Sequence, residues 1–219
     1  MEADAAQLQT IIAGDVARSA VGPLRPSTGS SSLRLLSLDA HGRVLDWINW
    51  QDATCLYARD AVAWTLGDPC LRVHGGTRRT TGERSVIDLH PIVASRGHAR
   101  AHLLSPTPSL TNTALFARDA QLCLYCGREF SRPSLTRDHV LPLSKGGRDT
   151  WENVVTACFG CNSRKSNRTP QQANMPLLAV PYRPSWIEHL ILSNRNILAD
   201  QMAFLTAHLP KRSRRFGQA

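Results

Sequence analysis

The chain has 219 residues, 42% of them hydrophobic, enough to build one or two cores and too apolar for a disordered tail. Lys and Arg number 26 against 17 Asp and Glu, a net charge of +9 with a pI near 9.9, so the partner to expect is a polyanion, nucleic acid first. There is no run of 18 or more apolar residues and the start, MEADAAQLQT, is acidic. We therefore expect no membrane span and no leader, but a cytoplasmic protein whose thiols stay reduced.

Along the chain, segment 1–32 reads as a flexible appendage, Ala-rich at first and then broken by Pro23, Pro26 and a Ser/Gly cluster. Segment 33–119 reads as a small mixed unit. Leu33 to Leu38 and Val44 to Ile48 suit two strands around a His41-Gly42 turn, and Trp50 to Arg59 suits a short helix. Ala61 to Leu66, Leu71 to His74 and Ser85 to Leu89 suit further strands. Segment 120–170 holds four of the six cysteines. Within it, Leu135 to Leu141 and Val154 to Ala157 predict two strands, joined through Pro142 and Gly146-Gly147, and Cys161 to Asn167 predicts a helix. Segment 171–209 reads as helical. Thr169-Pro170-Gln171-Gln172 and Ser185 to Glu188 both fit capping boxes, and the helix after Ser185 should align Ile187, Leu190, Ile191, Ile197, Leu198, Met202 and Leu205 on one packing face, which could equally serve a homodimer. Segment 210–219 is a basic tail. The five tryptophans are expected in cores rather than stacked on bases, and Cys55 and Cys70, without partners at ligand spacing, as buried small hydrophobes.

The densest information lies in two C-x-x-C pairs, Cys123/Cys126 and Cys158/Cys161. Each pair spans one tight turn and presents two sulfurs a metal's width apart, so the four thiols can close a tetrahedral zinc site with no position left for substrate. Zinc would then be structural, and it is needed because a segment of about fifty residues buries little apolar surface. Chemistry must come from what lies between and just beyond the pairs: Asp138, His139, Asn153 and Asn162, in a basic setting. A carboxylate, an imidazole and carboxamides are the inventory of a metal-dependent phosphodiesterase.

The run CLYCGREFSRPSLTRDHVLPLSKGGRDTWENVVTACFGCNSRKSNRTP resembles the HNH-family endonucleases, in the branch whose ββα-metal finger is stapled by two zinc knuckles. The features that match in order are the first knuckle, Asp138-His139 followed by Pro142, Lys145-Gly146-Gly147, Trp151-Glu152-Asn153, and the second knuckle running into Asn162 and Lys165. The stretch LRLLSLDAHGRVLDWINWQDA more loosely resembles the accessory region ahead of the finger in some bacterial members. The resemblance implies an α+β chain: a small mixed N-terminal unit, the zinc-stapled finger, and C-terminal helices. It implies DNA as substrate and products ending in 5′-phosphate and 3′-hydroxyl. By position, His139 is the first His, Asn153 the central Asn, and Asn162 stands where many relatives have the second His.

These positions carry expected roles. His139 is the general base, since an imidazole both takes and releases a proton near neutral pH. Asp138 and Asn162 are oxygen ligands of a catalytic magnesium or manganese ion, which keeps several waters and takes other positions from phosphate. Asn153 is expected to orient the loop carrying His139 through backbone hydrogen bonds. Arg164, Lys165 and Lys145 are candidate phosphate contacts, in a segment, 123–168, with eight Lys/Arg against four Asp/Glu. Two alternatives stay open: a zinc-ordered nucleic-acid-binding adaptor, and a nuclease that cuts RNA.

Overall fold

The computed structural model describes residues 33–96, 107–210 and 213. The appendage 1–32 and all of the basic tail beyond Pro210 except Ser213 lie outside them. The elements are β1 (Arg34–Asp39), β2 (Val44–Asn49), α1 (Trp50–Ala58), β3 (Val62–Leu66), β4 (Leu71–Thr77), β5 (Arg84–Leu89), β6 (Ile92–Ser95), α2 (Asn112–Arg118), β7 (Leu135–His139), β8 (Val154–Cys158), α3 (Phe159–Lys165), α4 (Trp186–Ser193) and α5 (Ala199–Ala207).

β1 is central in a four-stranded sheet of order β2-β1-β6-β3, antiparallel to β2 and parallel to β6. It is apolar almost throughout because both of its faces are covered. On one face Leu36 and Leu38 join Ile92 and Ala94 against Leu190, Ile191, Phe204 and Leu205 of α4 and α5. On the other, Leu35 packs with Ala53 of α1 and Leu89 of β5. The C-terminal helices thus complete the core of the N-terminal sheet. Reciprocal indole bonds fix α4 on β2: Trp47 Nε1 donates to the Leu190 carbonyl at 3.0 Å and Trp186 Nε1 to the Leu45 carbonyl at 2.7 Å. Buried Gln201 ties α5 to the strand ends by donating to the carbonyls of Arg34 and Pro91.

The C-terminal apolar stripe is divided between two helices rather than carried by one. The capping box of Ser185 and Glu188 is present. The helix it starts stops at Ser193, where the Asn194 side chain accepts the Asn196 amide at 3.1 Å and so offers the backbone a turn in place of the next helical bond. Met202, expected on the packing face, is 37% exposed. At Thr169 both reciprocal bonds with Gln172 form, at 3.3 and 3.1 Å, yet they close only a turn, since the chain runs on to Pro176 without a helical stretch. Strand β6 was not expected from its short IVAS sequence. Cys55 is exposed on α1 and Cys70 half-buried, its thiol donating to the Leu89 carbonyl at 3.4 Å. All five tryptophans pack against apolar clusters.

The second body is built around the hairpin of β7 and β8, with α2 and α3 beside it. Leu115 and Phe116 of α2 pack with Leu135, Trp151 and Val154. Beside that cluster lies the side chain of Arg118, fully buried. It pairs with Asp119 through two bonds, of 2.8 and 3.1 Å, donates to the carbonyls of Trp151, Val154 and Tyr182, and lies over the rings of Trp151 and Tyr182. Asp119 also accepts the Thr156 amide at 2.8 Å. Replacing Arg118 by Ala leaves a buried carboxylate without its counter-charge and three carbonyls without this donor. Chemical denaturation of the variant should show a loss of about 3–5 kcal/mol in stability.

Candidate active site

The first knuckle forms because the chain reverses tightly between its cysteines. Gly127 takes φ +72° and donates to the Cys123 carbonyl, and Cys123 donates in turn to the Arg128 carbonyl. The second knuckle sits where β8 passes into α3. Cys158 caps the helix, its sulfur accepting the Cys161 amide at 3.4 Å. The four sulfurs lie within 4.8 Å of one another. A tetrahedral ion with bonds of about 2.3 Å to sulfur needs separations of about 3.8 Å, so small rotations of the side chains close the shell. Two thiols are already polarised in opposite senses. Loss of solvent opposes ionisation of Cys126, but hydrogen bonds from the backbone and guanidinium of Arg128, with those from the neighbouring thiols, together outweigh it and bring the thiol down to about 6. Burial, with the neighbouring sulfurs adding to it, pushes Cys161 up to about 12. A metal would remove the second penalty by taking the thiolate as its ligand.

Strand β7 sorts the candidate residues onto two faces, because neighbouring side chains point to opposite sides. Asp138 and Thr136 face α3; His139 and Arg137 face the other way. On the α3 side Asp138 is 5% exposed and accepts two charge-assisted bonds. Tyr125 Oη donates to Oδ2 at 2.5 Å and Lys165 Nζ to Oδ1 at 3.0 Å. Burial, together with the bond to this carboxylate, pushes the Tyr125 phenol well above its ordinary range, so it remains a donor. Lys165, expected as a surface phosphate contact, is wholly buried. It lies one turn beyond Cys161 on the same side of α3 and also donates to the His139 carbonyl at 2.8 Å. A buried ammonium of this kind needs such a counter-charge. Asn162 donates its amide nitrogen to Thr136 Oγ1 at 2.9 Å, which leaves its carbonyl oxygen as the atom able to ligate a cation.

On the other face His139 Nε2 meets Asp149 Oδ1 at 2.8 Å. Arg137 holds the second oxygen of Asp149 at 2.6 Å and also bonds Asn112 and the Leu110 carbonyl. Loss of solvent opposes the charge on Asp149, but the bonds from His139 and Arg137 prevail and hold its carboxyl below the usual range. An ionised carboxylate only accepts, so the proton of a neutral imidazole sits on Nε2 and the lone pair on Nδ1. Sequence reasoning missed Asp149, Arg137 and Tyr125. Strand alternation alone places Arg137 beside His139, whereas the path that brings Asp149 back through the loop has no local signal.

That loop is fixed at two points. Gly146 adopts φ +85°, and a Cβ on Gly147 would collide with the Leu141 carbonyl, so the double glycine allows the chain to close upon itself. Asn153 then brackets Leu141. Its Oδ1 accepts the Leu141 amide at 2.9 Å, and its Nδ2 donates to the carbonyls of Leu141 at 3.0 Å and Arg148 at 2.8 Å. Lys145 and Arg164 are exposed, Lys145 bonded to Gln172 at 2.8 Å. Asn153→Ala removes three bonds, and the expected result is local: amide exchange at Leu141 accelerates roughly ten- to a hundredfold while that of Thr156 is unchanged.

The matching segment of the chain is larger than these residues alone. Residues 123–178, about a quarter of the chain, match the family model described as HNH endonuclease. No curated protein matches the chain. Among the described residues no helix is long and apolar enough to cross a membrane. The hairpin, the helix and the clustered thiols therefore go with a family match, and over residues 123–178 the chain is similar to the HNH endonucleases.

Proposed function

We propose that the protein is a cytoplasmic, metal-dependent DNA endonuclease whose catalytic unit is segment 120–170. The observation that carries the proposal is the family match over a hairpin and helix that bear Asp138, His139 and Asn162, next to a four-thiol cluster. Zinc on the four thiolates holds the unit together. The carbonyl of Asn162 and the lone pairs of Asp138 not used by Tyr125 and Lys165 hold magnesium or manganese. When bound, that ion supplies electrostatic stabilisation of the charge that grows on the phosphate and on the departing 3′ oxygen.

The protein's own groups do the rest. Nδ1 of His139 takes the proton of the attacking water while Asp149 fixes the ring and steadies its positive charge. Asn153 keeps the segment after His139 from shifting. Lys145 and Arg164 are the phosphate contacts. Lys165 instead neutralises Asp138 and holds the His139 carbonyl.

A second reading draws on the same ion pair. Asp138 already has its charge satisfied, as would suit a finger that binds nucleic acid without cutting it. Plasmid cleavage by wild type and His139→Ala separates the two. We expect a rate lower by about 10²–10⁴ in the variant, with metal content and duplex affinity unchanged. Equal rates across metal concentrations would leave the adaptor as the better reading, and cleavage of RNA in place of plasmid would reassign the substrate.

The two metals should also be separable. Elemental analysis is expected to return about one zinc per chain, retained on dialysis, while cutting needs added magnesium or manganese. Cys158→Ser should lower zinc content and folded yield together, because metal binding and folding of the finger are coupled.

A further inference from the structure

The arms of β4 and β5 form a two-stranded antiparallel ribbon whose stem and tip differ in character. At the stem, Leu71, Val73 and Ile87 pack against the cluster of Leu35, Ala53 and Leu89. Beyond the Val73–Ile87 pair every residue from His74 through Val86 is exposed. At about 3.3 Å per residue the tip stands roughly 15 Å clear of its last apolar support. A bare hairpin of two strands is marginally stable in water, so an apolar tip would collapse onto the body. This tip is TRRTTGERS, polar throughout, with Arg78, Arg79 and Arg84 against one carboxylate, Glu83. None of the three arginines forms an ion pair among the described residues. At the stem, by contrast, the positive charge of Arg72 is cancelled by Asp88 through two bonds.

The ribbon is held in shape by its own backbone. Arg78 donates to the Glu83 carbonyl and Gly82 to the Arg78 carbonyl, both at 2.8 Å, closing the turn with Gly82 at φ +70°. Gly75 lets Ser85 lie against the facing strand, where a Cβ would collide with the serine hydroxyl, and Ser85 Oγ donates to the Gly76 carbonyl at 3.0 Å. Arg84 Nε donates to the Gly75 carbonyl at 3.1 Å. The irregularity in register between His74 and Thr77 adds right-handed twist, which lets a ribbon follow a helical groove.

We propose that the β4–β5 ribbon is a second DNA-binding element, entering the major groove of duplex DNA and neutralising flanking phosphates with Arg78 and Arg79. It rests on the nuclease reading, and supplies the duplex grip that a finger of some fifty residues offers little surface for. The B-form major groove, about 12 Å wide, admits a two-stranded ribbon. The corresponding groove of an RNA duplex is deep and narrow and does not. The element therefore selects duplex DNA by shape as well as charge.

The test is the salt dependence of binding by the full chain, without added divalent ion, to one mixed-sequence DNA duplex and its RNA counterpart. Arg78→Ala/Arg79→Ala is compared with wild type and with Arg59→Ala/Arg195→Ala, which removes two exposed charges elsewhere; zinc content and melting temperature report folding. The slope of log affinity against log salt on DNA should fall by about 1.8 in the ribbon variant, about 0.9 for each lost phosphate contact, and should stay unchanged on RNA. An unchanged slope on DNA would mean that the arginines only keep an exposed sheet edge soluble, and an equal fall in the control pair would mean general charge. Either overturns the ribbon while leaving the nuclease reading intact, as does an equal fall on RNA. If wild type itself binds neither duplex, the failure lies with the nuclease reading.

Discussion

A guanidinium buried without solvent is the constraint on which the rest of the finger depends. Arg118 cannot shed its charge, so the chain must bring it a carboxylate and enough acceptors to replace water, and those acceptors come from far apart in sequence. Asp119 is adjacent, Trp151 and Val154 enter from the hairpin, and Tyr182 enters from the segment leading to the C-terminal helices. One side chain therefore sets where α2, β8 and the segment carrying Tyr182 meet. Because that segment continues into α4, which completes the core of the N-terminal sheet, the same interaction links two separate apolar clusters.

The hairpin passes this order on to the site. Its alternation separates two polar groups, one toward the helix and one away, and gives each its own electrostatic balance. Tyr125 and Lys165 meet Asp138 in a nearly dry setting, where hydrogen bonds are strong and an unmatched charge is costly. His139 and Asp149 meet near the surface, where a proton can be exchanged with solvent. Two adjacent residues on one strand thus work in different dielectric environments.

Much of this was legible in the sequence where a feature is local. Knuckle spacing, the double glycine and the apolar runs each describe a few residues, and the strands and helices of the finger lie within a residue or two of expectation. What was not legible depends on distant parts meeting. Lys165 reads as one more helix cation until Asp138 is seen beneath it. The Asn194 turn reads as helix because the stripe of apolar residues continues across it, and nothing local announces that the two pieces will fold onto a sheet built 150 residues earlier. Asp149 is paired with its histidine by the shape of a loop.

Cys161 and Lys165 stand four residues apart on a helix of seven, one fastened to the thiol cluster and the other to Asp138. Each further residue turns a helix by about 100°, so a single insertion between them would leave one of these anchors facing solvent. The rotational phase of α3 is therefore fixed at both ends. Chain length can vary in the segments outside the finger, but not within this one turn.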